Sequence, residues 1–200
     1  MVITILINIF AFFVFLFVAW KRLKEDYPAE NVFTLCFVTA LGLLSGYLVA
    51  RQFAPAYWFW MEILGILIGY MVIVLKTKLK FYETLEALVI GYLYWFGIYW
   101  AYLFIKTPSI ITLLATLLAI CFIILFYLLN KSYRNFSWYK SGRIGFSGLT
   151  TAGFFFLTRG AIASFFPFML SFSGKSEAVL SGAVSFIIFL LVYNLSRQGE

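Results

Sequence analysis

Seven long runs of apolar residues follow one another along the chain, separated by short polar segments. The runs lack the strict alternation of apolar and polar residues that marks a transmembrane β-strand. As a helix with a rise of about 1.5 Å per residue, each run is long enough to cross a hydrocarbon core of about 30 Å. The predicted helices cover residues 2–20, 32–50, 57–75, 87–105, 110–129, 144–168 and 178–195.

The composition points to the same class of protein. Hydrophobic residues make up 64% of the 200 residues and charged residues only 12%, whereas soluble domains carry about 25% charged residues. A chain this apolar cannot cover itself with polar surface, and in lipid every backbone amide needs an internal partner. The sequence therefore predicts an all-α, membrane-embedded polytopic protein, with residues 1–200 forming a single membrane domain.

The basic residues of the loops are unevenly distributed. Eleven fall in the first, third and fifth loops and after the last run, whereas Arg51, Lys106 and Lys175 fall in the loops between. Because basic loops stay in the cytoplasm, this pattern predicts about seven transmembrane helices, an outside amino terminus and a cytoplasmic carboxyl terminus. It also accounts for the net charge of +7 without a nucleic-acid partner. The eleven are Lys21, Arg22, Lys24, Lys76, Lys78, Lys80, Lys131, Arg134, Lys140, Arg143 and Arg197.

Few residues inside the predicted helices carry chemistry. The chain has no histidine and only two cysteines, so we expect no metal site, no cofactor and no Ser-His or Cys-His catalytic pair. Arg159 and Glu62 lie inside apolar runs, where ionisable residues are costly and usually functional. Arg159 is therefore either a snorkelling or structurally paired arginine, or an anion site for a lipid phosphate.

Helix depths predict that these polar residues share a layer. Counting from the cytoplasmic end of each helix places Arg159, Glu62 and three tyrosines about 20 to 24 Å into a core of about 30 Å. A carboxylate at that depth would offset part of the cost of burying an arginine. We therefore expect Arg159 to face the interior of the helix bundle, with Glu62 or the tyrosines among its neighbours. The tyrosines are Tyr47, Tyr99 and Tyr102.

Two pairs of glycines lie four residues apart within predicted helices. Gly42 and Gly46 belong to the second helix, and Gly65 and Gly69 to the third. Small residues at this spacing let the backbones of two membrane helices approach closely. The sequence therefore predicts close helix packing at both pairs.

The order of these motifs resembles that of the prolipoprotein diacylglyceryl transferases over most of the chain. Gly42, Gly46 and Tyr47 match the Gly-Ala-Arg-Leu-Gly-Tyr motif that ends the family's second helix. Residues 65–69 resemble the end of the family's His-Gly-Gly-Leu-Ile-Gly-Gly segment. Arg159, in the sequence Leu-Thr-Arg, matches the arginine of the family's Gly-Arg-Phe segment.

The chain departs from the family pattern at several polar positions. Leu44 stands where the second-helix arginine would be, and Leu64 occupies the position of the histidine. Trp100 takes the arginine position of the Gly-Arg-Ile-Gly-Asn-Phe signature, and Ala163 replaces a glutamate that follows the retained arginine. The resemblance thus keeps the family's layout and Arg159 but loses its histidine and its signature arginine.

The resemblance implies an enzyme of the bacterial cytoplasmic (inner) membrane with seven helices and the same orientation of termini. Members of the family move a diacylglyceryl group from phosphatidylglycerol to the cysteine of an exported lipoprotein precursor. The expected partners are therefore an anionic phospholipid headgroup and such a precursor.

Three functions remain open at this point. The first is a divergent lipid-modifying transferase in which Arg159 holds the lipid phosphate and Tyr99 or Tyr102 replaces the lost donors. The second is a non-catalytic relative that binds phospholipid or a lipoprotein signal segment. The third is an unrelated small transporter or channel subunit, which would be expected to show more broken helices or midplane polar groups. A second, motif-complete transferase in the same genome would favour the non-catalytic relative.

Overall fold

Seven α-helices make up most of the computed structural model, which describes residues 2–77, 79–136, 144–167, 169 and 172–197. No strand occurs in these residues, so the predicted all-α fold is confirmed for them. Single turns of 3-10 helix cover Pro55–Tyr57 and Tyr133–Asn135. The helices are α1 (Val2–Leu23), α2 (Ala29–Phe53), α3 (Trp58–Thr77), α4 (Phe81–Lys106), α5 (Ile110–Ser132), α6 (Phe146–Phe165) and α7 (Lys175–Arg197).

Each predicted run corresponds to one helix, and most helices extend beyond the run into flanking charged residues. α1 includes Arg22, α4 includes Glu86 and α7 includes Glu177. α6 is shorter than the predicted segment, because the chain turns into it at Gly145, whose φ is +124°. Phe168, at the predicted end, lies outside the described residues, as do the positions Lys78, Tyr139, Lys140 and Arg143.

Six of the seven described helices are long and apolar enough to cross a membrane: α1 to α5 and α7. These helices indicate a multi-pass membrane protein. α6 is the exception, since glycines, hydroxyl residues and Arg159 reduce its apolar content.

The helices group into two compact units. The described residues of Met1–Asp26, Tyr82–Thr151 and Leu191–Glu200 form unit 1, and those of Tyr27–Phe81 and Ala152–Leu190 form unit 2. Both units combine segments that are distant in the sequence. The expectation of a single membrane domain over residues 1–200 remains a prediction.

In unit 2, α2 and α3 pack closely through their glycines. A β-carbon on Gly42 would collide with the carbonyl group of Gly65, and one on Gly69 would lie 2.7 Å from the carbonyl oxygen of Val38. A β-carbon on Gly46 would meet the α-carbon of Glu62 at 2.9 Å. The predicted close packing at both glycine pairs is therefore confirmed.

In unit 1, the first two turns of α6 are enclosed by other elements. Every residue from 145 to 151 is buried, so this segment presents no face to the surroundings. A β-carbon on Gly148 would lie 2.6 Å from the α-carbon of Glu86, which shows how closely α6 approaches α4. The enclosed segment is rich in glycine, serine and threonine rather than in large apolar residues.

Candidate functional site

Arg159, on α6, is buried in unit 2 with 7% of its surface exposed. Its Nε–H donates a hydrogen bond of 2.6 Å to Oε1 of Glu177, near the start of α7. Glu177 is fully buried. The prediction that Arg159 faces the interior is confirmed, and a carboxylate at the same level offsets its charge.

Both carboxylate oxygens of Glu177 accept further hydrogen bonds. Oε1 accepts from the hydroxyl of Ser181 at 2.7 Å, and Oε2 accepts from the indole N–H of Trp60 at 2.8 Å. Oε2 also accepts from the hydroxyl of Ser173 at 3.2 Å. Because buried charges are stable only when paired and hydrogen-bonded, these donors explain how unit 2 accommodates the ion pair.

Aromatic rings cover the guanidinium of Arg159. Its Cζ lies 3.4 Å from the ring centre of Phe59 and 4.9 Å from that of Phe172. Such cation–π contacts contribute about 2 kcal/mol when the cation is desolvated. We call this group the arginine centre; it consists of Phe59, Trp60, Arg159, Phe172, Ser173, Glu177 and Ser181.

The local sequence places these residues at one end of several helices. Phe59 and Trp60 lie in the first turn of α3, and Glu177 lies in the first turn of α7, where the helix dipole favours a negative charge. Gly174, with a φ of +65°, lets the chain turn into α7. Ser181 follows Glu177 by four residues and therefore lies on the same face of the helix.

The other residues predicted to share a layer with Arg159 have different surroundings. Glu62, on α3, is half-buried and makes no hydrogen bond or ion pair within the part of the chain that the structure describes. Tyr47 is 41% exposed on α2. The carboxylate that pairs with Arg159 is that of Glu177, which lies just before the predicted seventh run and was not predicted as its partner.

Tyr99 and Tyr102 belong to unit 1. The hydroxyl of Tyr102 shares a hydrogen bond of 2.9 Å with the hydroxyl of Thr4, so it links α4 to α1. The suggestion that these tyrosines replace lost donors of the transferase family remains a prediction.

Unit 1 contains a second ion pair, between the half-buried Arg22 on α1 and the buried Glu86 on α4. The same Nη2 of Arg22 also donates to Oδ1 of Asn130 at 2.7 Å. The second carboxylate oxygen of Glu86 accepts the backbone N–H groups of Gly145 at 3.0 Å and Gly148 at 3.2 Å. We call these five residues the Glu86 centre.

The sequence contained some signals for both pairs. Ser181 and Glu177 have helical spacing, and Ser173 precedes Glu177 by four residues. Arg22 was assigned to a loop because it follows an apolar run, and Glu86 directly precedes one. A rule that treated charged residues at run ends as part of the helix would have included Arg22, Glu86 and Glu177.

The arginine centre holds a cation in a fixed position and offers little for proton transfer. Glu177 accepts four hydrogen bonds, and two of them use the nearby serine hydroxyls. A general base needs a free lone pair directed at the proton that it takes. The arrangement is therefore suited to orienting a guanidinium rather than to acid–base chemistry.

Comparison of the chain with known protein families, with curated proteins and with solved structures finds no match. The resemblance to the diacylglyceryl transferases therefore rests on the layout of the sequence motifs.

Proposed function

We propose that this protein is a divergent, non-catalytic relative of the prolipoprotein diacylglyceryl transferases that binds an anionic phospholipid headgroup. The observation that carries the proposal is the fixed guanidinium of Arg159. Its Nε–H is bonded to Glu177, and rings of Phe59 and Phe172 lie against it. A planar guanidinium held in this way is suited to a phosphate, whose oxygens match its paired N–H donors.

The position of the arginine centre supports a headgroup as the ligand. The centre lies where α3 and α7 begin, next to the aromatic residues Tyr57 and Trp58. Aromatic residues of this kind mark the level of the lipid headgroups. Lys175, the exposed first residue of α7, adds a positive charge nearby in the sequence.

The residues present support binding rather than transfer. Leu64 and Trp100 occupy the positions of the family's histidine and signature arginine, and neither side chain can exchange a proton with a substrate. Glu177 is committed to Arg159 and to three neutral donors. The lipid, and possible lipoprotein precursors, are therefore proposed as ligands rather than as substrates.

We further propose that all seven helices span a bacterial cytoplasmic membrane, with the amino terminus outside and the carboxyl terminus inside. α6 can span the membrane despite its low hydropathy, because the polar residues at its start are buried in protein rather than exposed to lipid. Reporter fusions after Lys24, Lys80 and Tyr139 should indicate the cytoplasm, and one after Lys175 the exterior. An exterior signal from the fusion at Lys80 would contradict this topology.

Lipid binding is tested by purifying the protein from membranes and measuring the retained phosphatidylglycerol by mass spectrometry. Arg159→Ala should lose most of this lipid, and Arg159→Lys should recover only part of it because lysine lacks the planar fork. Arg51→Ala, at the exposed end of α2, is the control and should retain the wild-type amount. A folded Arg159→Lys variant with wild-type lipid content would show that no guanidinium-specific phosphate site exists.

The absence of catalysis is tested separately, in cells depleted of their own transferase. Expression of this protein should not restore growth, and labelled lipid should not be incorporated into a lipoprotein precursor. Restoration of both would overturn the non-catalytic part of the proposal and favour an active, divergent transferase.

A further inference from the structure

Several buried polar atoms in unit 1 have no hydrogen-bond partner in the described part of the chain. Three of them are the hydroxyls of Ser147 and Thr150 and the indole N–H of Trp100. Ser147 is 1% exposed and Thr150 is 8% exposed. Both lie on α6 within its enclosed first two turns, so bulk solvent cannot reach them. A buried polar atom without a partner destabilises a protein by about 1 to 3 kcal/mol, so each requires an explanation.

Other hydroxyls of α6 show the usual alternative. Thr151 donates to the carbonyl oxygen of Ser147 at 2.7 Å, and Ser164 donates to that of Gly160 at 2.9 Å. These bonds to the preceding turn are the common solution for serine and threonine inside a helix. Thr150 does not use it, although Phe146 lies one turn before it in the same helix. Ser147 is the second residue of α6, so no turn of this helix precedes it.

The spacing of the two hydroxyls suits a shared ligand. Residues three apart in a helix lie on one face, with their β-carbons about 5 to 6 Å apart. The two hydroxyls make no direct hydrogen bond to each other in the structure, and at this spacing one oxygen atom can bridge them. Buried water typically makes about three hydrogen bonds to otherwise unpaired polar groups, and two hydroxyls supply two of them.

We propose that an ordered water molecule binds inside unit 1 and bridges the hydroxyls of Ser147 and Thr150. The surroundings are polar, because Gly145 and Gly148, which flank Ser147 in the sequence, donate their N–H groups to the buried Glu86. Polar buried sites retain water, whereas apolar cavities of similar size stay empty. The inference does not depend on lipid binding by the arginine centre.

The direct test is an experimental structure of the wild-type protein at a resolution that shows ordered water. Density for a water molecule within hydrogen-bond distance of both hydroxyls is expected, and it should vanish in Ser147→Ala. Hydroxyls of Ser147 and Thr150 that instead donate to protein acceptors, with no water density between them, would overturn the proposal.

Unfolding equilibria give a second, independent test. A bridging water requires both hydroxyls, so Ser147→Ala and Thr150→Val should each raise the unfolding constant by about five-fold, and the double variant by little more than one of them. The control is Thr151→Val, whose lost hydrogen bond to Ser147 is internal to the helix and whose effect should multiply with that of Thr150→Val. A double variant whose unfolding constant rises by the product of the two single effects would contradict a shared water. A lower unfolding constant in either single variant would contradict it as well.

Discussion

The arginine–glutamate pairs Arg22–Glu86 and Arg159–Glu177 both have a buried carboxylate but differ in how that carboxylate is held. In the Glu86 centre, one carboxylate oxygen accepts two backbone N–H groups from the start of α6. In the arginine centre, the described donors to Glu177 are all side chains. The cations differ as well, because the side chain of Arg22 is 28% exposed and that of Arg159 is 7% exposed.

This difference predicts which pair tolerates substitution. Backbone donors survive any side-chain replacement that leaves the helix in place, so Glu86 stays hydrogen-bonded when Arg22 is removed. Glu177 would lose the only cation that the described contacts give it. Removing one partner of a buried pair is costly mainly because the other charge is left uncompensated. Similar ion pairs can thus differ in energetic importance because of the groups around them.

Arg159→Ala is expected to have the largest effect. It leaves Glu177 buried without a cation and removes the contacts with Phe59 and Phe172, so the free energy of unfolding should fall by about 3 to 5 kcal/mol. Reversible denaturation in mixed micelles would measure this loss. The double variant Arg159→Met with Glu177→Leu should recover much of the lost stability. If it recovers none, the uncompensated charge of Glu177 is not the main cause of the loss in Arg159→Ala.

Gly148→Ala should disrupt the backbone hydrogen bonds from Gly145 and Gly148 to Glu86. The added methyl group would lie 2.6 Å from the α-carbon of Glu86 and would push α6 away from the carboxylate. We expect a loss of about 3 kcal/mol, at the upper end for overpacking. Gly182→Ala is the matched control, because nothing lies within 4 Å of its added carbon, and it should be neutral or stabilising. Equal effects of the two substitutions would contradict the close approach.

Arg22→Ala should cost less than Arg159→Ala, about 1.5 kcal/mol, since Glu86 keeps its two N–H donors. Lys21→Ala, an exposed neighbour on the same helix turn, controls for the loss of a basic residue and should change stability little. The measurement is the same micelle denaturation. A loss as large as that of Arg159→Ala would show that backbone donors do not compensate for the missing arginine.

Glu62→Gln should have the smallest effect on stability. Glu62 has no ion-pair partner in the described part of the chain, so its replacement should change the free energy of unfolding by less than about 0.5 kcal/mol. The expected result separates this carboxylate from those of Glu86 and Glu177. A loss of several times this size in the same assay would place Glu62 in an ion pair as well.

Most of the fold followed from hydrophobic patterning, because an apolar run long enough to cross a bilayer is expected to fold as a helix. The helix ends did not follow, since helical hydrogen bonding continues into charged residues at either end of a run. α4 begins at Phe81, six residues before its predicted start. The chain's division into two units from distant segments had no signal in the pattern.

For the candidate site, the sequence predicted that Arg159 is interior but not the residue that neutralises it. Counting residues along each helix estimates the depth of a side chain in the membrane. It does not show which helices pack against one another. Glu177 lies at the edge of an apolar run, and hydropathy alone assigns a charged residue at that position to a loop. Its role depends on packing between α6 and α7 and on the indole of Trp60, which is distant in sequence.

In the seven-span arrangement, the burial of Arg159 against α7 also constrains the order of events on the ribosome. α6 is less apolar than the six helices that are long and apolar enough to cross a membrane, and an arginine within an inserting helix is costly unless it is paired. Glu177 is synthesised 18 residues after Arg159. A nascent chain that ends before α7 therefore lacks the charge that makes α6 stable in the bilayer. In that arrangement, α6 and α7 would enter the membrane together, as a helical hairpin.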